Sequence, residues 1–426
     1  MSGDESRDRP VRDDPGSGAV VVLTGGEHVS VLAAIRGLRA AGHVPWVTVH
    51  ERGTYAERSG ASAGAVIVPR PGRDPDAFVT AVAALARDVG AAAILPGTDV
   101  ATQALSERTA LLPASVALGA AAPDVLTSIT DKRNLGRMAA AGGLSVPLEV
   151  EAQAGAVPRT LPFPFPVVVK PPVSELRDAA GVTRHYAARA ARSTDEIEVA
   201  LSGLPDGVAI VQPLLTGPVG SLAGVFWDGR LIAAVQAEAD RVWPQPCGSI
   251  AHAVTVPLDA ALAEATAAML RPTGWQGLFQ LDFFRVGQRV IIIDFNPRLY
   301  TSLGHATRAG VNLAAMWVDG LLGRPLPALP DYRVGVGYRR EEGDVQALLR
   351  QLMRGPRRSS LRALRSERPT EYAVASWSDP RPFLTSIGHG IRHVRRRPPA
   401  HLPATPADAA TLASDGAAER VVESGS

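Results

Sequence analysis

Gly277-Leu-Phe-Gln-Leu-Asp282-Phe-Phe-Arg-Val-Gly-Gln-Arg-Val-Ile-Ile-Ile-Asp294-Phe-Asn296-Pro-Arg298 is the stretch that decides the fold. Apolar and β-branched runs flank Gly287-Gln288, which predicts a β-hairpin. Asp294 and Asn296 are two residues apart, so they project from one face of the second strand. Whether Asp282 joins them depends on register. A three-residue loop, Gly287 to Arg289, sets Asp282 opposite Asp294 on that face, whereas a two-residue turn puts the carboxylates on opposite faces. The three-residue loop is the expectation. Four apolar residues directly before Asp294 argue for a buried strand, not a hairpin end facing water. Two carboxylates and an amide oxygen on one sheet face are hard ligands suited to Mg²⁺ bridging phosphates.

Working back along the chain, exactly two lysines occur, Lys132 and Lys170, among 44 basic residues. Arginine is a planar fork, while lysine is a compact charge that serves well on phosphate. Lys132 lies in Thr130-Asp131-Lys132-Arg133-Asn134-Leu135, with Leu135, Met138 and Ala139 at helical spacing and Gly142-Gly143 as a stop. It falls in the first helical turn, where a cation is disfavoured unless an anion is near. Lys170 closes Phe165-Pro-Val-Val-Val-Lys170-Pro-Pro172, a short β-branched strand ended by a proline pair. A lysine at the end of a buried strand needs a partner.

Two lysines followed by a carboxylate pair and Asn-Pro-Arg, in that order, resemble the ATP-grasp superfamily, over roughly residues 19 to 325. The resemblance implies an α/β fold: an N-terminal Rossmann-like parallel domain, a small lid lobe and a larger α+β lobe. It makes Lys132 and Lys170 the nucleotide lysines, and Asp282, Asp294 and Asn296 the ligands of Mg²⁺, with Mn²⁺ as a substitute. Arg298 falls on the arginine that contacts the transferred phosphoryl group, so Arg298 and Lys170 are the expected catalytic residues. Ile210-Val211-Gln212-Pro213-Leu214-Leu215 resembles the strand and hinge that hold adenine, giving Gln212, Pro213, Leu214 and Leu215 as further ATP contacts. Aspartate stands at both metal positions where the family usually has glutamate. Gln212 and Val219 replace common glutamates, and Pro171 to Gly181 lacks the usual glycine-rich run.

The rest of the chain fits this frame. Ala19–Leu23, Pro45–Val49, Ala65–Val68 and Ala92–Leu95 read as strands, with helices near Ser30–Ala41 and Asp74–Val89. That βαβ rhythm predicts a parallel sheet. Gly25-Gly26 is either an anion seat or, the preferred reading, a tight turn. Asp99 either meets substrate or caps a helix. The expected divisions are a disordered 1–18, an N-terminal domain 19–122, an ATP-grasp domain 123–327 with its lid at about 148–210, an accessory C-terminal region 328–398, and a disordered tail 399–426. Fifteen arginines lie between Arg333 and Arg397. Phe383, Leu384, Ile387, Ile391 and Val394, with Arg392 and Arg395 to Arg397, make an amphipathic basic stretch. Docking on the protein's own body or on a dimer partner is preferred to an anionic membrane.

With a net charge of +2, no global field argues for nucleic acid. One cysteine, Cys247, excludes an internal disulfide and fits a cytoplasmic protein, as a structural thiol. No apolar run is long enough for a membrane span. The resemblance implies an ATP-dependent carbon–nitrogen ligase that joins a small carboxylate to an amine and releases ADP and phosphate. Tyr300, Thr301, Ser302 and His305 are candidate substrate contacts, His305 as a packing residue or a base. A carboxylase or carbamoyl-phosphate-synthase-like enzyme and a non-catalytic ATP-binding regulator are the alternatives.

Overall fold

The structure, a computed structural model, describes residues 18–287, 289–354 and 368–385. The expected disordered tail and the basic positions 386–397 lie outside the described residues, as does nearly all of the N-terminal 1–18.

The chain first builds a parallel sheet from β1 (Val20–Leu23), β2 (Val44–Val49), β3 (Gly64–Ile67), β4 (Ala93–Leu95) and β5 (Ala117–Leu118), in the order β3-β2-β1-β4-β5. Its crossovers are α1 (Val29–Ala40), α2 (Tyr55–Arg58), α3 (Pro75–Asp88) and α4 (Asp99–Glu107). The continuous apolar run of β1 is what a strand covered on both faces requires. Val21 and Leu23 pack toward α1, and Val22 packs toward α3 and α4. Asp74 caps α3 by accepting from Ala77 N, with Pro75 in the first turn, and Thr98 caps α4 through Ala101 N.

Helices α5 (Pro123–Thr130) and α6 (Leu135–Ala141) lead to the lid. Between them a short 3₁₀ turn, Lys132–Asn134, is capped by Asp131. The lid holds β6 (Val150–Gln153), β7 (Val167–Lys170), β8 (Glu175–Arg177), β9 (Thr183–His185), β10 (Arg189–Ala191), α7 (Thr194–Ser202) and β11 (Val208–Pro213). Four of these strands form a sheet in the order β10-β7-β11-β6, with its own apolar core, while β8 and β9 make a separate hairpin.

The large lobe contains β12 (Val219–Trp227), β13 (Arg230–Trp243), β14 (Ser249–Thr255), α8 (Ala260–Leu270), β15 (Gly277–Val286), β16 (Arg289–Asn296), α9 (Leu303–Ala309) and α10 (Leu313–Leu321). The C-terminal part adds β17 (Gly337–Arg339), α11 (Glu341–Arg354) and β18 (Thr370–Tyr372). Together they form one seven-stranded sheet, β16-β15-β12-β13-β14-β17-β18. One core cluster runs from β1 and α1 through α9 and α10 to β12 and β13, with Trp317 fully buried in it. The N-terminal domain and the large lobe therefore share a core.

In its described residues the C-terminal region joins the sheet of the large lobe and contacts the first domain. Strand β17 pairs with β14 and carries the fully buried Tyr338. On α11, Asp344 is 1% exposed and takes Arg241 Nε at 2.6 Å and Arg339 Nε at 3.1 Å. Asp379 then reaches the first domain, accepting from Arg36 Nε at 3.0 Å, Ser59 Oγ at 2.6 Å and Gly60 N at 3.0 Å. Breaking one buried, bonded pair of this kind costs about 3–5 kcal/mol. A chain ended at Leu329 should leave the β14 edge unpaired and aggregate on expression. Size-exclusion chromatography and thermal melting check this, and a monomeric fragment melting like the full chain would contradict it.

Candidate active site

The hairpin is joined by two residues, because Val286 pairs with Arg289, so the expected three-residue loop is not formed. Asp282 nevertheless pairs directly with Asp294. The register slips between them: Phe283 faces Ile292, and Ile293 is the extra residue of a β-bulge. The bulge does what the longer loop was expected to do, returning both carboxylates to one face. A bulged residue lies outside the ladder pairing. Ile293 O accepts from Lys170 Nζ at 3.0 Å.

The two lysines thus arrive at adjacent residues of β16, Lys132 at Asp294 and Lys170 at Ile293. Lys132 Nζ lies 3.6 Å from Asp294 Oδ1 and donates to Ser174 Oγ at 2.8 Å. Lys170 is 7% exposed; burial lowers its pKa to about 8, with Asp294 pulling the other way. The lid holds it there: β7 lies between β10 and β11, with Lys170 opposite Ile210.

Asp282 is the strained member. Its Oδ1 is buried without a hydrogen-bond partner, and Oδ2 has only Asn296 Nδ2 at 3.4 Å. Burial, and after it the charge of Asp294, raise its pKa to about 7. Among the described residues no three His, Cys, Asp or Glu side chains cluster as metal ligands. A divalent cation here would need the Asn296 amide oxygen as well. An orphaned carboxylate oxygen beside a second carboxylate and an amide is a donor set that fits a hard cation.

Arg298 crosses to the first domain, where its Nε donates to Asp99 Oδ1 at 2.7 Å; Nη2 donates to Asn296 Oδ1 at 3.1 Å. The cap of α4 is Thr98, which leaves the Asp99 side chain to Arg298. A cavity of about 250 Å³ opens beside this pair, lined by Asp99, Gln103, Glu107, Lys132, Glu175 and Asp294 among others.

Gln212 closes β11 with its amide donating to Glu149 Oε2 at 2.9 Å. Pro213 ends the same strand, and the Leu214 N–H is taken by Pro166 O at 3.0 Å, with Leu215 next to it. Gly25-Gly26 is a tight turn: Gly25 has φ +80°, and Gly26 N donates to Thr48 O at 2.9 Å. Tyr300, Ser302 and His305 are buried. His305 Nε2 is 2.8 Å from Val336 O, its ring stacks on Tyr338, and burial lowers its pKa to about 4. In this structure its ring is a packing group. The Thr301 carbonyl accepts from Tyr338 OH at 3.1 Å. Burial raises the Cys247 thiol to about 11, as befits a structural group.

Ser174 and Glu175 lie in Pro171–Gly181, a segment whose sequence lacks the glycine-rich run. The segment forms the β8–β9 hairpin instead. Asp178 stabilises its tip by accepting from Ala180 N and Val182 N, and Thr183 N donates to Gly72 O of the first domain at 2.8 Å. The signal present is Asp-Ala-Ala-Gly, a turn sequence.

No protein-family model and no curated sequence matches the chain. Solved structures do. Campylobacter jejuni biotin carboxylase is similar at 15% identity and a TM-score of 0.57, covering 74% of each chain. Staphylococcus aureus N5-carboxyaminoimidazole synthetase complexed with ADP is similar at 11% identity and a TM-score of 0.55, over 75% of this chain and 80% of that one. Bacillus licheniformis L-amino acid ligase is similar at 13% identity and a TM-score of 0.55, over 73% and 75%. The fold is the ATP-grasp fold.

The raised pKa of Asp282 makes a prediction with a definite sign. Its unfolded value is about 4, so folding grows less favourable as pH rises from about 4 to about 7, and the cost is fully present above that. Asp282→Asn should therefore stabilise the protein without nucleotide or metal at pH 8, on the order of 1–3 kcal/mol. The gain should vanish toward pH 4 while turnover is abolished. Chemical denaturation at several pH values checks the first part, and an unchanged or lowered stability at pH 8 would refute it.

Proposed function

We propose that this protein is an ATP-dependent ligase that activates a small-molecule carboxylate as an acyl-phosphate and joins it to an amine. The approach of Lys132 and Lys170 to the bulge of β16, opposite an Asp282 carboxylate with one unpartnered oxygen, carries this reading. Two ammonium groups beside two carboxylates form a site for a polyanion with its own hard cation. Lys132 and Lys170 hold the phosphates. Asp282, Asp294 and Asn296 would hold Mg²⁺, or Mn²⁺ in its place. When bound, the ion would supply charge neutralisation to the transferring phosphoryl group. Gln212, Pro213, Leu214 and Leu215 border the adenine. The ADP complex of the synthetase named above supports nucleotide binding by this fold.

A carboxylate oxygen of the acid attacks the γ-phosphorus, and the bond to the β–γ bridging oxygen breaks to release ADP. Arg298, held in place by Asp99, faces the equatorial oxygens during transfer and then the acyl-phosphate. The amine nitrogen attacks the acyl carbon, phosphate leaves, and a proton passes from nitrogen to solvent. No side chain forms a covalent intermediate, so positioning and charge supply the rate.

Phosphate release from Mg-ATP, measured against pools of small acids and amines, tests the reading. Release that needs an acid, plus an amide product by mass spectrometry, is the expected result. Release with bicarbonate alone would point to carboxylation, and ATP binding with no release under any acid would point to a regulator. Lys170→Met should weaken ATP binding by tenfold or more, since a charge-assisted phosphate contact is worth roughly 1.5–3 kcal/mol. Phosphate binding favours the protonated amine, so wild-type affinity should hold below about pH 8 and fall above it. Isothermal titration across pH 7 to 9.5 checks this, and a flat profile matching that of Lys170→Met would argue against it.

A further inference from the structure

One hairpin of the small lobe stands apart from its sheet. Strands β8 and β9 have three residues each and pair only with one another: Glu175 with His185, Leu176 with Arg184, and Arg177 with Thr183. An isolated pair of short strands is marginally stable at best in water, so its placement depends on ties to other elements. Two such ties are present, one at each end of the hairpin.

At the turn end, Thr183 N donates to Gly72 O of the first domain at 2.8 Å. The approach leaves no room for a side chain, because a Cβ on Gly72 would lie 2.5 Å from Thr183 O. Gly72 does not have a positive φ, so an alanine there would suit the backbone and lack only the space. At the open end, the chain entering β8 meets Lys132 twice. Pro172 O accepts from Lys132 N at 2.8 Å, and Ser174 Oγ accepts from Lys132 Nζ at 2.8 Å. The Ser174 carbonyl accepts from Tyr186 N at 2.8 Å, which fixes this serine to the chain leaving β9. A lysine ammonium rides on a flexible four-carbon stem. Asp294 Oδ1 attracts it from 3.6 Å, beyond hydrogen-bond distance, so the bond to Ser174 sets its direction.

We propose that the β8–β9 hairpin is a brace for the Lys132 ammonium, anchored on the first domain at Gly72, with Ser174 as a positioning residue. The proposal rests on the nucleotide reading above and adds residues that act through Lys132. Ser174 holds the charge where a phosphate would meet it, and Gly72 holds Ser174 through roughly 10 Å of strand. An ammonium set in advance binds phosphate without first losing its rotamer freedom. The segment that lacks a glycine-rich run thus acts as a rigid piece held from both ends.

Isothermal titration of the full chain with the magnesium complex of a non-hydrolysable ATP analogue tests this. Ser174→Ala should weaken binding by about threefold to tenfold, and Ser174→Thr, which keeps the hydroxyl, should restore most of it. Gly72→Ala displaces the anchor and should weaken binding by about twofold or more. The deciding comparison is made in Lys132→Met. There, neither Ser174→Ala nor Gly72→Ala should change the affinity further, because both act through the missing ammonium. A merely structural role predicts a different pattern: a lowered thermal midpoint, with affinity losses that add to that of Lys132→Met. That additivity would overturn the proposal, as would an unchanged affinity in Ser174→Ala or in Gly72→Ala. A wild-type chain that binds no analogue would instead overturn the nucleotide reading beneath it.

Discussion

The hydrogen bond from Lys170 to the carbonyl of Ile293 joins the small lobe to the β15–β16 hairpin at the point where the hairpin's register changes. A two-residue turn alone would send Asp282 and Asp294 to opposite faces. The bulge reverses that, at the cost of leaving Ile293 out of the ladder. The lysine that satisfies its carbonyl is itself buried and lowered in pKa. Each group makes the other tolerable. The ammonium gains an acceptor and the field of Asp294, and the bulge gains a donor. Because Lys170 comes from the small lobe, correct hairpin geometry and correct lid placement are one condition.

A second tie runs the other way, from Arg298 to Asp99 in the first domain. An arginine at the end of β16 is a flexible chain, and its guanidinium could take several positions over a phosphoryl site. Anchoring one nitrogen on Asp99 and another on Asn296 leaves it little freedom. The N-terminal domain is fixed in turn by the core it shares with the large lobe and by Asp379. The C-terminal strands therefore act on the site through the position of Asp99, although none of their side chains lines the cavity.

Much of this was legible in the sequence. The parallel sheet followed from βαβ spacing, and the hairpin followed from apolar runs about Gly287-Gln288. The two lysines stood out because arginine replaced lysine everywhere else. The bulge was not legible: nothing in Val290-Ile-Ile-Ile-Asp294 marks Ile293 as the extra residue, because bulge formation depends on what satisfies the freed carbonyl 123 positions away. Strand β17 was also hidden, since Gly-Tyr-Arg is too short to show alternation and gains its stability from the β14 edge. His305 was ambiguous for the usual reason that a histidine's role depends on its neighbours, here the Val336 carbonyl and Tyr338.

The aspartates at the metal positions gain a physical account from the same geometry. A glutamate carboxylate reaches a cation through one more rotatable bond than an aspartate and can adapt to a backbone that is slightly out of place. An aspartate cannot, so the strand must bring the carboxylate to the right place. In a regular hairpin that demand would be hard to meet, because successive residues point to alternate faces. A bulge bends the strand and re-aims its side chains, and the Lys170 bond fixes the bulge from outside the hairpin. Shorter ligands therefore go with a more rigid backbone. Burial first, and the neighbouring charge of Asp294 second, raise the pKa of Asp282, and one of its oxygens is left without a partner.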